Sequence, residues 1–277
     1  MASMSTADAF RAFEYAGWGS DSVALAYHRH LGEVTTGCIG DLLAAAGVQA
    51  GDRVLDVACG AGYVAAAARD RGAEAIGVDF SPAQVRLAQQ TYPDIAFVEG
   101  DAEALVFADA EFDAVLNGFG LPHVPDPDKA TAEAYRVLKP GGAFAYASWC
   151  EPAKCIGHAM IYDAIRAHGS FDVGLPAGPD FFSYGRPDFA EDMLRRAGFS
   201  DLSFKEVPLT WRVASPEAIL EGFCGGTVRA AAVLQRQGPE DLAKIKQYLR
   251  ERISQFGRDG VYAVPVPALV VCAGKPA

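Results

Sequence analysis

Between residues 53 and 149, short apolar runs alternate with helix-like segments, and the connections are only a few residues long. The runs "RVLDVA" (53–58), "AEAIGVD" (73–79), "IAFVEGD" (95–101), "FDAVLNGFG" (112–120) and "AFAYASW" (143–149) each have the length and composition of a strand buried on both faces. Between them lie an Ala-rich helix at about 62–71, "SPAQVRLAQQ" (81–90) and "DPDKATAEAYRVL" (126–138). Ser81 is placed to cap the second of these helices, and Pro82 suits its first helical position. "KPGG" (139–142) then turns the chain into the fifth strand. Parallel strands need crossover connections, and those crossovers are right-handed. The alternation therefore predicts an α/β fold with a doubly wound, mostly parallel sheet.

The flanking regions are read less directly. Residues 5–17 and about 21–46 look helical, with Leu25, Leu31, Ile39, Leu42 and Leu43 at near-helical spacing. After residue 150 the regularity loosens. Prolines and glycines across 150–185 suggest a loop-rich insertion. Residues 186–199 form a helix stopped near Gly198, and 202–211 a sixth strand. Residues 215–256 give two or three helices, and 262–275 a final strand whose prolines suit an edge or a strand start.

The 277 residues carry a formal net charge of −11, which argues against nucleic acid as a partner. Six cysteines, none in a C-x-x-C pair, read as reduced thiols of a cytoplasmic protein. No secretory signal, membrane span or internal repeat is evident. The oligomeric state is not readable.

In open α/β sheets, ligands bind beyond the carboxyl ends of the strands. The turn in "VLDVACGAGYVA" (54–65) is the first such place. Gly60, Gly62 and Ala65 fit a G-x-G-x-x-A dinucleotide pattern, and a glycine turn before a helix suits NAD and S-adenosylmethionine equally. Three carboxylates separate the two. Asp56, at the end of the first strand, would repel a pyrophosphate and favour an ammonium and a sulfonium. Asp79, ending the second, can accept from both ribose hydroxyls of either cofactor. Asp101, placed at the end of the third, can accept from an adenine amino group. The set favours a nucleoside bearing a cation.

With these motifs in order, the chain resembles the class I S-adenosylmethionine-dependent methyltransferases. More narrowly, it is similar to the ubiquinone/menaquinone-biosynthesis C-methyltransferase group. "VLDVACGAG", "GVDFSPAQ", "EGDAEAL", "FDAVLNGFGLPHVPDP" and "RVLKPGG" carry the resemblance across 54–142. It implies a Rossmann-like, seven-stranded sheet whose last strand is antiparallel, with helical lid and cap insertions. The implied organisation is a helical lid over 1–50 and a cofactor-binding core over 51–149. Residues 150–277 would then complete the sheet, with acceptor-binding insertions at 150–185 and 212–260. The resemblance places Asp56, Gly60 and Gly62 beside the methionine part, Asp79 on the ribose, Phe80 and Gln84 near the adenosine, and Asp101 and Ala102 on adenine. Asn117 and Gly118 pass beneath the methionine part, and Tyr27 of the lid closes on the cofactor. Ala58 stands where the family has its first glycine, and Gln84 where it often has methionine.

His123, just past the fourth strand, is the candidate base, set against a plain loop histidine packing beside the cofactor. His158 and His168 lie in the variable insertion. Cys150, Cys155 and Cys224 could hold arsenic, although buried thiols usually act as small hydrophobes. Trp18, Trp149, Trp211 and Phe181–Phe182 could line an apolar acceptor pocket, and Trp149 is the best placed. No metal is expected. The reading is methyl transfer from S-adenosylmethionine to a small-molecule acceptor by in-line displacement, leaving S-adenosylhomocysteine. The alternatives are a rearrangement or cyclisation using the same cofactor, and a non-catalytic binding protein.

Overall fold

The computed structural model describes residues 5–277. The chain opens with α1 (Thr6–Trp18), α2 (Asp21–His30), α3 (Gly32–Thr36) and α4 (Ile39–Ala45). Ser5 caps α1, its hydroxyl accepting from the Asp8 N–H at 3.1 Å. The single helical stretch expected over 21–46 is thus three pieces, and each turns its own apolar residues inward. Leu31, Ile39, Leu42 and Leu43 are buried, whereas Leu25 is 52% exposed.

The alternating region follows as β1 (Arg53–Val57), α5 (Tyr63–Asp70), β2 (Glu74–Asp79), α6 (Pro82–Thr91), β3 (Ala96–Glu99), β4 (Phe112–Gly118), α7 (Pro127–Val137) and β5 (Leu138–Trp149). Then come α8 (Ile156–His168), α9 (Pro187–Arg196), β6 (Ser200–Val207), β7 (Thr210–Val213), α10 (Pro216–Gly226), α11 (Arg229–Gln235) and α12 (Pro239–Ser254). The chain closes with β8 (Gly257–Arg258), β9 (Val261–Pro265) and β10 (Ala268–Gly274).

The main sheet has seven strands in the order β3-β2-β1-β4-β5-β10-β6. The first five pair in parallel, and β10 is antiparallel to both its neighbours. Leu55, Val115 and Phe144 pack into one apolar cluster and Val54, Leu116 and Ala145 into another. The alternation shows the sheet buried on both faces, as its unbroken apolar runs require. Strand order reverses between β1 and β4, so their carboxyl ends open a crevice. Among the described residues, no helix is long and apolar enough to cross a membrane.

Four expectations are corrected. "KPGG" is not a turn between helix and strand: β5 begins directly after α7 and runs through it. Gly141, at φ +80°, and a register shift between Phe112 and Ala114 absorb the irregularity as a bulge. Residues 150–185 contain the thirteen-residue helix α8 rather than loop alone. The sixth strand stops at Val207, and Pro208 separates it from β7, which belongs to a second sheet of order β7-β9-β8. The final strand divides into β9 and β10 at Pro265 and Pro267, and β10 is interior to the main sheet, not at its edge.

Candidate active site

The crevice holds a cavity of about 490 Å³, within the range of small-molecule sites. Its floor is the strand ends: Asp56, Ala58 and Gly60 after β1, Asp79 and Phe80 after β2, Asp101 and Ala102 after β3, and Gly118 closing β4. Its roof is the N-terminal helices, with Arg11, Glu14, Tyr15 and Trp18 from α1 and Tyr27 from α2. Gln84 reaches it from α6.

The turn after β1 is shaped by backbone twist. Ala58 (φ +55°) and Gly60 (φ +52°) both lie in the left-handed region. That conformation costs a residue with a side chain roughly 1–2 kcal/mol, which accounts for the glycine usually expected at position 58. Gly120 leaves room for the Ala58 methyl, since a Cβ there would approach it to 2.5 Å. Phe119, at φ +66°, is a bulky residue in the same strained region, directly over the site.

Asp79 pins this turn. Its carboxylate accepts from the Gly60 N–H and the Ser81 N–H, both at 2.8 Å. Asp56 accepts from the Ala65 N–H of α5 at 3.0 Å through Oδ2, while its buried Oδ1 has no partner. The buried Gln84 Oε1 is also unpartnered. Burial pushes the Asp56 carboxyl up to about 8 and the Asp79 carboxyl up to about 6. The ordinary carboxylate value is about 3.9. Two strained turn residues, two raised carboxyls and two residues with an orphaned buried acceptor therefore line one cavity.

Three sequence-based placements change. Asp101 does not end β3, which stops at Glu99. It sits in the following turn and is held by Arg11 Nη1 at 2.6 Å, while the other Arg11 nitrogen meets Glu103. Gly62 does not line the cavity. It starts α5 at φ +84°, and a Cβ there would strike the Phe97 ring. Asn117 does not line it either. Its amide donates to Val57 O at 2.9 Å, and its oxygen accepts from Gly120 and Leu121, so it ties β4 and the next turn to β1.

A second cavity of about 70 Å³ abuts the first, and Glu14, Trp18, Tyr27, Phe119 and His123 line both. Trp149, His158, Phe181, Phe223 and Arg229 are among the other residues of its wall. Trp149 is therefore a wall residue of the smaller cavity, while Trp211 and Phe182 pack in the core. His158 is buried among aromatic rings, and burial pushes it down to about 3, so it is neutral. His168 packs against Tyr248, away from both cavities. Burial pushes the Cys150 and Cys155 thiols up to about 11 and about 12, and Cys224 in the same direction. None is prepared to supply a thiolate at neutral pH.

Sequence reasoning missed Glu14 and Arg11. The signal for Glu14 was there: Phe10, Glu14 and Trp18 recur every four residues on one face of α1, so a carboxylate sits in an apolar stripe.

Residues 55–146 match the family model described as a methyltransferase domain. The chain is 31% identical to a demethylmenaquinone methyltransferase of Paenarthrobacter aurescens over 169 residues, 58% of this chain and 67% of that protein. The chain belongs to the class I S-adenosylmethionine-dependent methyltransferases. A demethylmenaquinone methyltransferase of Renibacterium salmoninarum is 45% identical over 108 residues, covering 39% of this methyltransferase and 46% of the relative. Against that relative, the chain spans about half the length. A phosphoethanolamine N-methyltransferase 2 from Haemonchus contortus, solved with S-adenosyl-L-methionine, shares the fold. Its TM-score is 0.60 at 18% identity, covering all of this chain and 61% of that one. The domain match ends before Trp149, so most of the second cavity's wall lies beyond it.

Proposed function

We propose that the methyltransferase binds S-adenosylmethionine in the larger cavity and passes its methyl group to a small-molecule acceptor reaching in from the smaller one. One observation carries this reading: Asp56 Oδ1 is buried at the cavity floor with no partner. A buried acceptor left unpaired costs about 1–3 kcal/mol, and a ligand ammonium placed there removes that cost. A pyrophosphate would instead meet the carboxylates of Asp56, Asp79 and Asp101 in one crevice.

The donor chemistry fits the residues present. Gly60 and Ala58 bring the backbone close to the methionine part. Asp79 keeps one lone pair on each oxygen for the ribose hydroxyls. Phe80 and Ala102 flank the adenine end beside Asp101, and Gln84 lies near the adenosine. When bound, the cofactor supplies a methyl group already activated by a positively charged sulfur. The chain's own work is then alignment, worth roughly 7–11 kcal/mol in well-oriented systems. Tyr27, Trp18 and Phe119 stand at the junction and exclude water. His123 stands there too, as the base for an acceptor that must lose a proton. We assign the lid to residues 5–50 (residues 1–4 of the expected 1–50 lie outside the described residues), the cofactor core to 51–149, and the acceptor walls to the insertions within 150–277.

The relatives named as demethylmenaquinone methyltransferases make reduced demethylmenaquinone the first acceptor to try. Calorimetry should show S-adenosylmethionine binding, weakened at least about tenfold by Asp79→Ala as the ribose loses a charged partner. Turnover should accumulate S-adenosylhomocysteine. Absence of binding by either cofactor form overturns the reading, and product formation without S-adenosylhomocysteine redirects it to a rearrangement.

A further inference from the structure

We propose that Glu14, carried on the lid helix α1, orients His123 as the base that takes the acceptor's proton. The base would then be complete only while α1 is docked. The inference rests on the methyl-transfer reading above and adds a positioning residue to it.

Glu14 is a buried carboxylate on a helix whose inward neighbours are Phe10 and Trp18. Burying a charge among apolar groups is unfavourable unless it is paired. Oε2 accepts from Trp18 Nε1 at 2.9 Å and meets His123 Nδ1 at 2.9 Å, across 109 residues of sequence. A carboxylate only accepts, so Nδ1 carries the imidazole proton and Nε2 the lone pair. No described residue bonds Nε2. The ring is held edge-on by Trp18, with centroids 5.1 Å apart.

A structural tie for the lid would explain the hydrogen bond alone. It does not explain the position. Glu14 and His123 both line the junction of the two cavities, where donor and acceptor would meet. The tie is also already made elsewhere, because Arg11 fastens the same helix to Asp101 and Glu103.

The step balances. The acceptor's O–H or C–H bond gives its proton to His123 Nε2, and its electron pair forms the new bond to the methyl carbon. The electrons of the sulfur–methyl bond stay on sulfur, leaving a neutral thioether. The imidazolium rests against Glu14 and then releases its proton to water.

The test uses Glu14→Gln in the full chain, with reduced demethylmenaquinone as the acceptor probe. Expected is a kcat lower by about 10²-fold, at the lower end for a lost acid–base group. Cofactor affinity and acceptor KM should stay within about threefold, since the loss lies in the transition state. His123→Asn should lower kcat similarly, and the double variant no further, because the pair acts as one unit. Nitrogen-15 NMR of the histidines, with His123 assigned through His123→Asn, should show the Nδ1–H tautomer in the parent protein and a mixture in Glu14→Gln. That signature needs neither an acceptor nor a folded Glu14 variant to judge the parent. An Nε2–H tautomer in the parent overturns the proposal, as does undiminished kcat or full additivity. Failure to bind S-adenosylmethionine at all would instead overturn the broader functional reading.

Discussion

The two cavities share a border but are built by different means. The floor of the larger one rests on backbone, namely strand ends and a left-handed turn, with the carboxylates of the first β-α-β stretch tied to main-chain N–H groups. The smaller one is a ring of side chains from α1, α2, α8, α10, α11 and the loops between. The first kind of site tolerates little change in its turn, whereas the second can be re-lined by single substitutions. On the proposed reading, a donor site built on backbone sits beside an acceptor site built from side chains.

Four outcomes would break or sharpen that contrast. The largest concerns Asp56→Asn, which keeps the shape but removes the carboxyl that would ionise against the ligand. Cofactor affinity should fall by about 30- to 100-fold, the lower end for losing one partner of a buried charge pair. Calorimetry measures this, and an effect below about threefold would mean that the floor does not recognise charge.

Phe181→Ala should do the reverse. It opens the smaller cavity's wall without touching the larger. Acceptor KM should rise about tenfold with cofactor affinity unchanged, as for loss of an aromatic contact. If steady-state kinetics shows both constants moving together, the two sites are one.

The third outcome is a pH dependence. The Asp56 carboxyl stands at about 8 when folded, against an unfolded value of about 3.9. Between those values the folded chain holds a proton that the unfolded chain has lost. The stability this contributes is present below about pH 4 and is lost as pH rises towards 8. Asp79, at about 6, acts in the same direction over a lower window. Melting temperature should therefore decline across that range, and Asp56→Asn should flatten the upper part. Cofactor binding should release a proton near neutral pH, read by calorimetry in buffers of different ionisation enthalpy.

The smallest effect belongs to the side-chain cavity, with opposite sign. His158 is held neutral down to about pH 3. Below about 6.5 the unfolded chain takes a proton that the folded chain refuses, so stability falls with acid. His158→Phe should raise the melting temperature at pH 5 by about 4–8 °C and change little at pH 8. Equal shifts at both values would point to packing rather than protonation.

The same contrast governs what the sequence disclosed. Asp56, Gly60 and Asp79 were legible because β1, its turn and β2 are adjacent in the chain, and local spacing fixes where their ends meet. Glu14 and His123 were not paired by any such rule, because tertiary docking of α1 brings them together. Asn117 and Gly62 were placed in the site by motif, yet neither lines it: the Asn117 amide ties β4 to β1, and Gly62 forms the tight start of α5, so motif position reports the backbone path and not which atoms reach the cavity. α8 was hidden by its neighbours, since glycines and prolines over 169–185 masked a helical period in 156–168. β7 was fused to β6 because an apolar run looks the same on either side of a proline that changes sheets.

The placement of β10 has a consequence for synthesis. Residues 268–274 fill the gap between β5 and β6, pairing with both. Strands β1 to β5 leave the ribosome as a contiguous parallel set that can associate in order. β6 emerges before its only neighbour in the sheet exists and must wait through three helices and the small sheet. A nascent chain stopped short of Ala268 would thus carry a formed turn after β1 and an exposed β5 edge, a template for pairing with other chains. Vectorial folding of this sheet is closed by β10, long after the turns at the ends of β1 and β2 have been translated.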